Sequence, residues 1–162
     1  FRLDLSDIKE MLFEDDECEE YELRPGDLVV CEGGHGIGRT TVWAGERKPM
    51  MFQKALHRLR PRGMMNSWFL AFQLKVAADT GVMDQYFTGA GIPHLTGRRL
   101  AEMTVVVPPV SEQEQIVAKV KELMKICDEL EVRLAQAEVR ASQLVEAVVQ
   151  EVVSAGPSRP AC

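Results

Sequence analysis

Ser111-Glu112-Gln113-Glu114-Gln115-Ile116-Val117 opens the stretch that decides the fold: from Ser111 to Ala155 the chain contains neither glycine nor proline. Ser111 followed by Glu114 is a capping box, in which the serine oxygen accepts from the third amide of a helix and the carboxylate reaches back to the cap. Gly156-Pro157 is where that helix must stop. The predicted helix is about 43 residues long, which at the standard rise per residue makes it roughly 60 Å. Along it, Ile116, Val120, Leu123, Cys127, Leu130, Leu134, Ala137, Ala141, Leu144 and Val148 recur at alternating spacings of four and three. Such a stripe is the a/d seam of a coiled coil, because a straight surface helix drifts off a 3.5-residue repeat. Ala137 and Ala141 are small and let a partner helix approach closely. No second long helix is legible, so the partner belongs to another chain or to a part of the parent protein outside this sequence.

Upstream of this stretch the elements are short. Val105-Val106-Val107 reads as a last strand, and Pro108-Pro109 forces an extended exit from it. Thr96 caps a short helix through Met103, after a loop from Tyr86 to Leu95 that contains Gly89, Gly91 and Pro93. Asn66 is an N-cap signal for a helix from Ser67 to Asp79. Phe52 to Arg60 reads as a strand with Phe52, Lys54, Leu56, Arg58 and Arg60 on one side. Arg24-Pro25-Gly26-Asp27 is a turn, Leu28-Val29-Val30-Cys31 a short buried strand, and Gly33 to Arg39 a glycine loop leading into Thr40-Thr41-Val42-Trp43. Ser6 reads as the cap of a helix over Asp7 to Phe13, and the acidic run Glu14 to Glu22 as a solvated loop. The expected class is α+β: a small mixed domain over 1–107, a long coiled-coil helix over 108–155 and a disordered tail over 156–162.

Composition narrows the function classes. The chain has 162 residues, 46% hydrophobic and 27% charged, as in a globular protein. No run approaches a membrane span, and no basic-then-apolar leader is present. Cys18, Cys31, Cys127 and Cys162 are scattered, which speaks against a metal cluster or disulfide framework and for reduced thiols in a cytoplasm. The net charge of −6 hides a division. Residues 1–31 carry 11 acids and 3 bases, residues 32–110 carry 5 acids and 10 bases, and residues 111–162 carry 9 acids and 6 bases. The middle is locally basic, which suits a nucleic-acid partner better than the total suggests.

Several motifs fall short of enzyme signatures. Gly33-Gly34-His35-Gly36-Ile37-Gly38-Arg39-Thr40 is one substitution from a P-loop, but Arg39 stands where lysine is required and a strand follows in place of a helix. The loop serves either as a tight β-connection or as a surface that lies against a DNA phosphate. Pro25, Asp27, Glu46 and Lys48 loosely follow the pattern of Mg²⁺ nucleases. Val107-Pro108-Pro109-Val110 lacks the flanks of an amino-methyltransferase motif. His35, His57 and His94 have no ligand partners at helical spacing. No cofactor or metal site is expected.

Taken together, Leu23 to Val30, Gly38-Arg39, Phe52-Gln53 and Leu59-Arg60-Pro61 look like part of a target-recognition domain. Gly91-Ile92-Pro93-His94-Leu95 and Leu100, followed by Val105-Val106-Val107-Pro108-Pro109 and Glu112-Gln113-Glu114-Gln115-Ile116-Val117, resemble the closing signature of the specificity subunits of type I restriction-modification systems. In that family the strand ends in PLPPLxEQxxIV and enters the spacer helix; here Val106 and Val110 replace the proline and leucine. The resemblance implies a non-catalytic subunit that reads one half of a split DNA target. It also implies a methyltransferase partner subunit that methylates adenine and a separate motor subunit that cleaves DNA. Full specificity subunits carry two recognition domains and two spacer helices. With Phe1 in place of a methionine and one of each element, this chain is expected to be a fragment or a half-subunit that dimerises through its helix.

The residues expected to face double-stranded DNA are Arg39, Lys54, Arg58, Arg60, Arg62, Arg98 and Arg99, chosen from charge and position. The ten seam residues are expected to form the helix interface. Two rival readings are a purely structural coiled-coil protein and a Mg²⁺ nuclease built on Asp27, Glu46 and Lys48.

Overall fold

Leu28-Val29-Val30-Cys31 forms the central strand, β1, of a three-stranded antiparallel sheet in a computed structural model that describes residues 3–45, 47 and 49–154. Its neighbours are β2, Thr40–Val42, and β3, Leu56–Leu59, in the order β2-β1-β3. The register sets Leu28 opposite Val42 and Leu59, and Cys31 opposite Leu56. Side chains alternate between the two faces. Leu28, Val30 and Val42 enter one core with Leu70, Ala71, Leu74, Met83, Leu95 and Leu100. Val29 enters a second, smaller cluster with Leu23 and Trp43, over which Leu5, Met50, Phe52 and Leu56 pack.

The helices follow local chemistry. Helix α2, Ser67–Asp79, is capped by the Asn66 side chain, which accepts from the amides of Trp68 and Phe69. Helix α3, Gly97–Ala101, is capped by Thr96 through the Arg99 amide. Both caps are those the sequence signalled. The helix expected over Asp7 to Phe13 is absent. The Ser6 hydroxyl and amide both bond to the Asp4 carboxylate, and Leu12 is fully exposed, so that segment has neither cap nor buried face. Helix α1 instead occupies Asp15–Tyr21, inside the acidic run. Asp15, Asp16 and Glu17 stand in its first turn, where the helix dipole favours negative charge, and the Glu14 amide donates to Glu17 at 3.1 Å.

Val105 to Val107 is not part of any strand. The Gln73 side chain of α2 takes the place of a neighbouring strand: its amide donates to the Val106 carbonyl at 2.9 Å and its oxygen accepts from the Val106 amide at 2.8 Å. Helix α4 then runs Val110–Ser154 without interruption, 45 residues and about 67 Å at 1.5 Å per residue. It begins earlier than the capping box predicted. The Pro109 carbonyl accepts from the amides of Glu112 and Gln113, so Ser111 already lies within the first turn. The expected tail over 156–162 lies outside the described residues.

The chain is thus α+β with a long C-terminal helix. It divides into two compact units, Phe1–Val117 and Ala118–Cys162. The first contains the sheet, α1 to α3 and the opening turns of α4. In the second, seam side chains face water, with Leu130 57% and Leu134 63% exposed.

Candidate nucleic-acid interface

The antiparallel register sorts the basic residues into two groups. The C-terminal end of β1 meets the beginnings of β2 and β3, so Arg39 and Lys54 lie at that end of the sheet. Arg60 and Arg62 follow β3 and lie towards the other end. Arg58 and Arg60 project from one face of the sheet, as alternation predicts, and that face is covered. Arg58 Nη1 donates to the Glu22 carbonyl at 2.9 Å, and its guanidinium lies 5.2 Å from the centre of the Phe52 ring. Arg60 donates to both carboxylate oxygens of Asp27 and to the Glu22 carbonyl. Lys54 does not join this stripe, because β3 begins only at Leu56 and Lys54 sits in the turn before it.

The electrostatic state of the seven residues differs accordingly. Arg39, Lys54 and Arg62 are exposed, and no acid among the described residues pairs with them. Arg99 bonds Glu102 at 2.7 Å, while Arg98 stands 3.5 Å from the same carboxylate. That Arg99 hydrogen bond, with the charge of both arginines, lowers the Glu102 carboxyl below its ordinary value. Asp27 is 1% exposed. Burial opposes its ionisation, but the Arg60 hydrogen bonds, the Arg24 amide and the charge of Arg58 outweigh burial and leave its carboxyl below the usual range.

The same occupancy bears on the nuclease pattern. Both Asp27 oxygens are engaged by Arg60 and the Arg24 amide, so the carboxylate turns inward and presents no open ligand face. Glu46 and Lys48 lie outside the described residues. The near-P-loop turns through a short 3-10 segment, Gly34–Gly36, and returns into β2, so no helix N-terminus follows it to hold phosphate.

Two loops meet beside β1. Gly33 bridges to His94, and His94 also bridges to Thr88, whose amide and carbonyl exchange hydrogen bonds with it. Glu32 ties them to the sheet: its carbonyl accepts from the Leu95 amide at 2.8 Å, and its amide donates to the Ala55 carbonyl at 2.9 Å. His57 Nε2 lies 2.6 Å from the Leu95 carbonyl, which accepts its proton. Nothing in the sequence signalled this pairing of loops more than fifty residues apart.

Sequence reasoning gave Gln113 no structural role beyond its place in the capping box and the closing signature. It is fully buried. Its oxygen accepts from the Asn66 amide, and its nitrogen donates to the Met64 and Pro108 carbonyls, each at 2.8 Å. One side chain therefore joins the first turn of α4 to the cap of α2 and to the extended segment before it. Val117, one helical turn on, is buried at 8% exposure. The Glu-Gln pair after the two prolines was the available signal, and its purpose is visible only once the Asn66 cap is placed beside it.

A family model described as the type I restriction modification DNA specificity domain matches residues 13–138. The chain belongs to that family. Among curated proteins it is similar to the type I restriction enzyme EcoKI specificity subunit of Escherichia coli (strain K12), at 24% identity over 153 residues. That match takes in 91% of this chain and 33% of the relative, so the chain spans about a third of that subunit's length.

Proposed function

We propose that the chain is a DNA sequence-recognition unit of a type I restriction-modification enzyme, reading one half of a bipartite target. In this reading residues 1–107 do the reading. The helix over 108–155 pairs through Ile116, Val120, Leu123, Cys127, Leu130, Leu134, Ala137, Ala141, Leu144 and Val148 with a second specificity half or a second copy. A methyltransferase subunit docks on the assembly in the cytoplasm and supplies the chemistry, while this chain supplies contacts and spacing. Arg39, Lys54 and Arg62 are the residues most available to DNA phosphates, followed by Arg98 and Arg99. Arg58 and Arg60 act from behind by shaping the sheet.

The observation that carries the proposal is the family match, which spans the sheet, the Pro108-Pro109 junction and most of α4 together. Among the described residues no helix is long and apolar enough to cross a membrane. Methylation mapping of the host genome with and without the gene tests the proposal. Loss of a split adenine motif is the expected result; an unchanged methylome rejects it. The seam on its own would equally suit a structural coiled-coil protein, which would leave the methylome untouched.

A further inference from the structure

Resting on that DNA-reading proposal, we infer that the base-reading surface is the composite of the two bridged loops, residues 33–38 and 88–94, with His35, Ile92 and His94 facing the base edges. The loops are joined through the backbone at Gly33 and His94, and the His94 ring packs against Gly33. A Cβ on Gly33 would stand 2.9 Å from His94 Nδ1, and one on Gly89 would stand 2.5 Å from the Ile92 carbonyl oxygen. Gly89 also has a φ of +102°, open to glycine and costly for other residues. The two loops therefore form one ridge.

What the ridge shows to solvent is the right chemistry for a groove. Gly34, His35 and Arg39 are exposed on the first loop, and residues 89–94 on the second. Ile92 is 67% exposed at the tip, an apolar side chain of the kind that meets a thymine methyl. The histidines offer ring nitrogens that donate or accept at base edges. Gly91 is the most telling position. A Cβ there meets nothing within 4 Å, and its φ lies outside the left-handed region. The fold itself does not need glycine at 91, but a bare backbone allows another molecule to come close. Arg39 and Lys54 flank the ridge as exposed cations suited to phosphates. The Arg39 Cδ lies 3.5 Å from where a Gly36 Cβ would be, so this cation rises beside the first loop.

The test is selection from a duplex library with a randomised core, using the full chain, wild type and the variants His35→Ala, Ile92→Ala and Gly91→Ala. Gly91→Ala is included because the fold has room for it, and circular dichroism checks that each variant is folded. The wild type is expected to enrich one motif. Each folded variant is expected to lose roughly tenfold or more of the preference at one or two bases, or to lose the motif altogether. If the wild type enriches a motif and all three folded variants enrich the same one with equal preference, the ridge does not read bases and the inference falls alone. If the wild type enriches no motif, the DNA-reading proposal falls and the inference falls with it.

Discussion

Arg60 closes on Asp27 with two hydrogen bonds, Nε to Oδ1 at 2.6 Å and Nη2 to Oδ2 at 2.7 Å, joining the exit of β3 to the turn that launches β1. The partners are not equally buried: the Arg60 side chain is 31% exposed and that of Asp27 is 2%. Loss of the arginine strands a carboxylate in the interior, whereas loss of the carboxylate frees a guanidinium that can reach water. Arg60→Ala is therefore expected to cost about 2–3 kcal/mol and Asp27→Asn about 1 kcal/mol. Urea denaturation of both variants checks the order, and an Asp27→Asn loss larger than the Arg60→Ala loss would contradict it.

The same pair predicts an acid response. The folded-state carboxyl of Asp27 is lowered from its ordinary value, so its contribution is complete above the unfolded pKa of about 4. It fades as pH falls below 4 through the lowered folded value. Wild-type stability should therefore drop over that window more steeply than Asp27→Asn stability. Parallel pH curves for the two proteins would show that the pair is not ionised as described.

Gln113 is the polar tie between α4 and the body of the first unit. Replacing it with leucine keeps the volume but leaves the Asn66 amide and the Met64 and Pro108 carbonyls without their partner. A loss of about 3 kcal/mol is expected, which for a unit of this size is a fall of roughly 10–20 °C in Tm. Gln113→Glu should be no milder, because a carboxylate cannot donate to the two carbonyls. Calorimetry on both variants settles the matter; a Tm within two or three degrees of wild type would mean the tie is dispensable.

Phosphate contact has a signature in salt. Arg39→Ala and Lys54→Ala should each flatten the slope of log affinity against log salt by about 0.9, the release expected for one phosphate. Both side chains are exposed and have no ion-pair partner among the described residues, so the change should come without loss of stability. Fluorescence anisotropy on duplex DNA across a salt series reads the slope, and an unaltered slope in both variants removes them from the interface.

Spacing is testable by length. Deleting Leu123 to Glu129 removes one heptad and preserves the seam register. The helix shortens by about 10 Å, equivalent to roughly three base pairs of duplex. The gap between the half-sites of the methylated motif should contract to match. A gap that stays the same would mean the helix does not set it.

How much was legible in the sequence follows from the range of the forces involved. α2 and α3 are set by caps two or three residues away, and α4 by a repeat that its own side chains write, so all three could be read. Leu28 to Cys31 and Thr40 to Val42 were legible because short apolar, β-branched runs between glycine turns have few alternatives. α1 was not, because an acidic run reads as loop until dipole and capping terms are weighed against it. The Val105 to Val107 run has the composition of a strand, but its hydrogen bonds go to a glutamine thirty-odd residues away. Among the basic residues, spacing gave the face correctly for Arg58 and Arg60. Their partners, Glu22 and Asp27, are distant in sequence, so nothing local showed that this face is covered.

Under the pairing proposed above, the exposed seam of α4 also bears on the molecule before it finds a partner. Helices of this kind draw most of their stability from packing, and residues 121–151 are all exposed. An orphan copy would fray and offer proteases an open substrate, and the paired form would lose helical signal on dilution. Copies that find company would survive, so the cellular level of the protein would follow the supply of its companions rather than its own rate of synthesis.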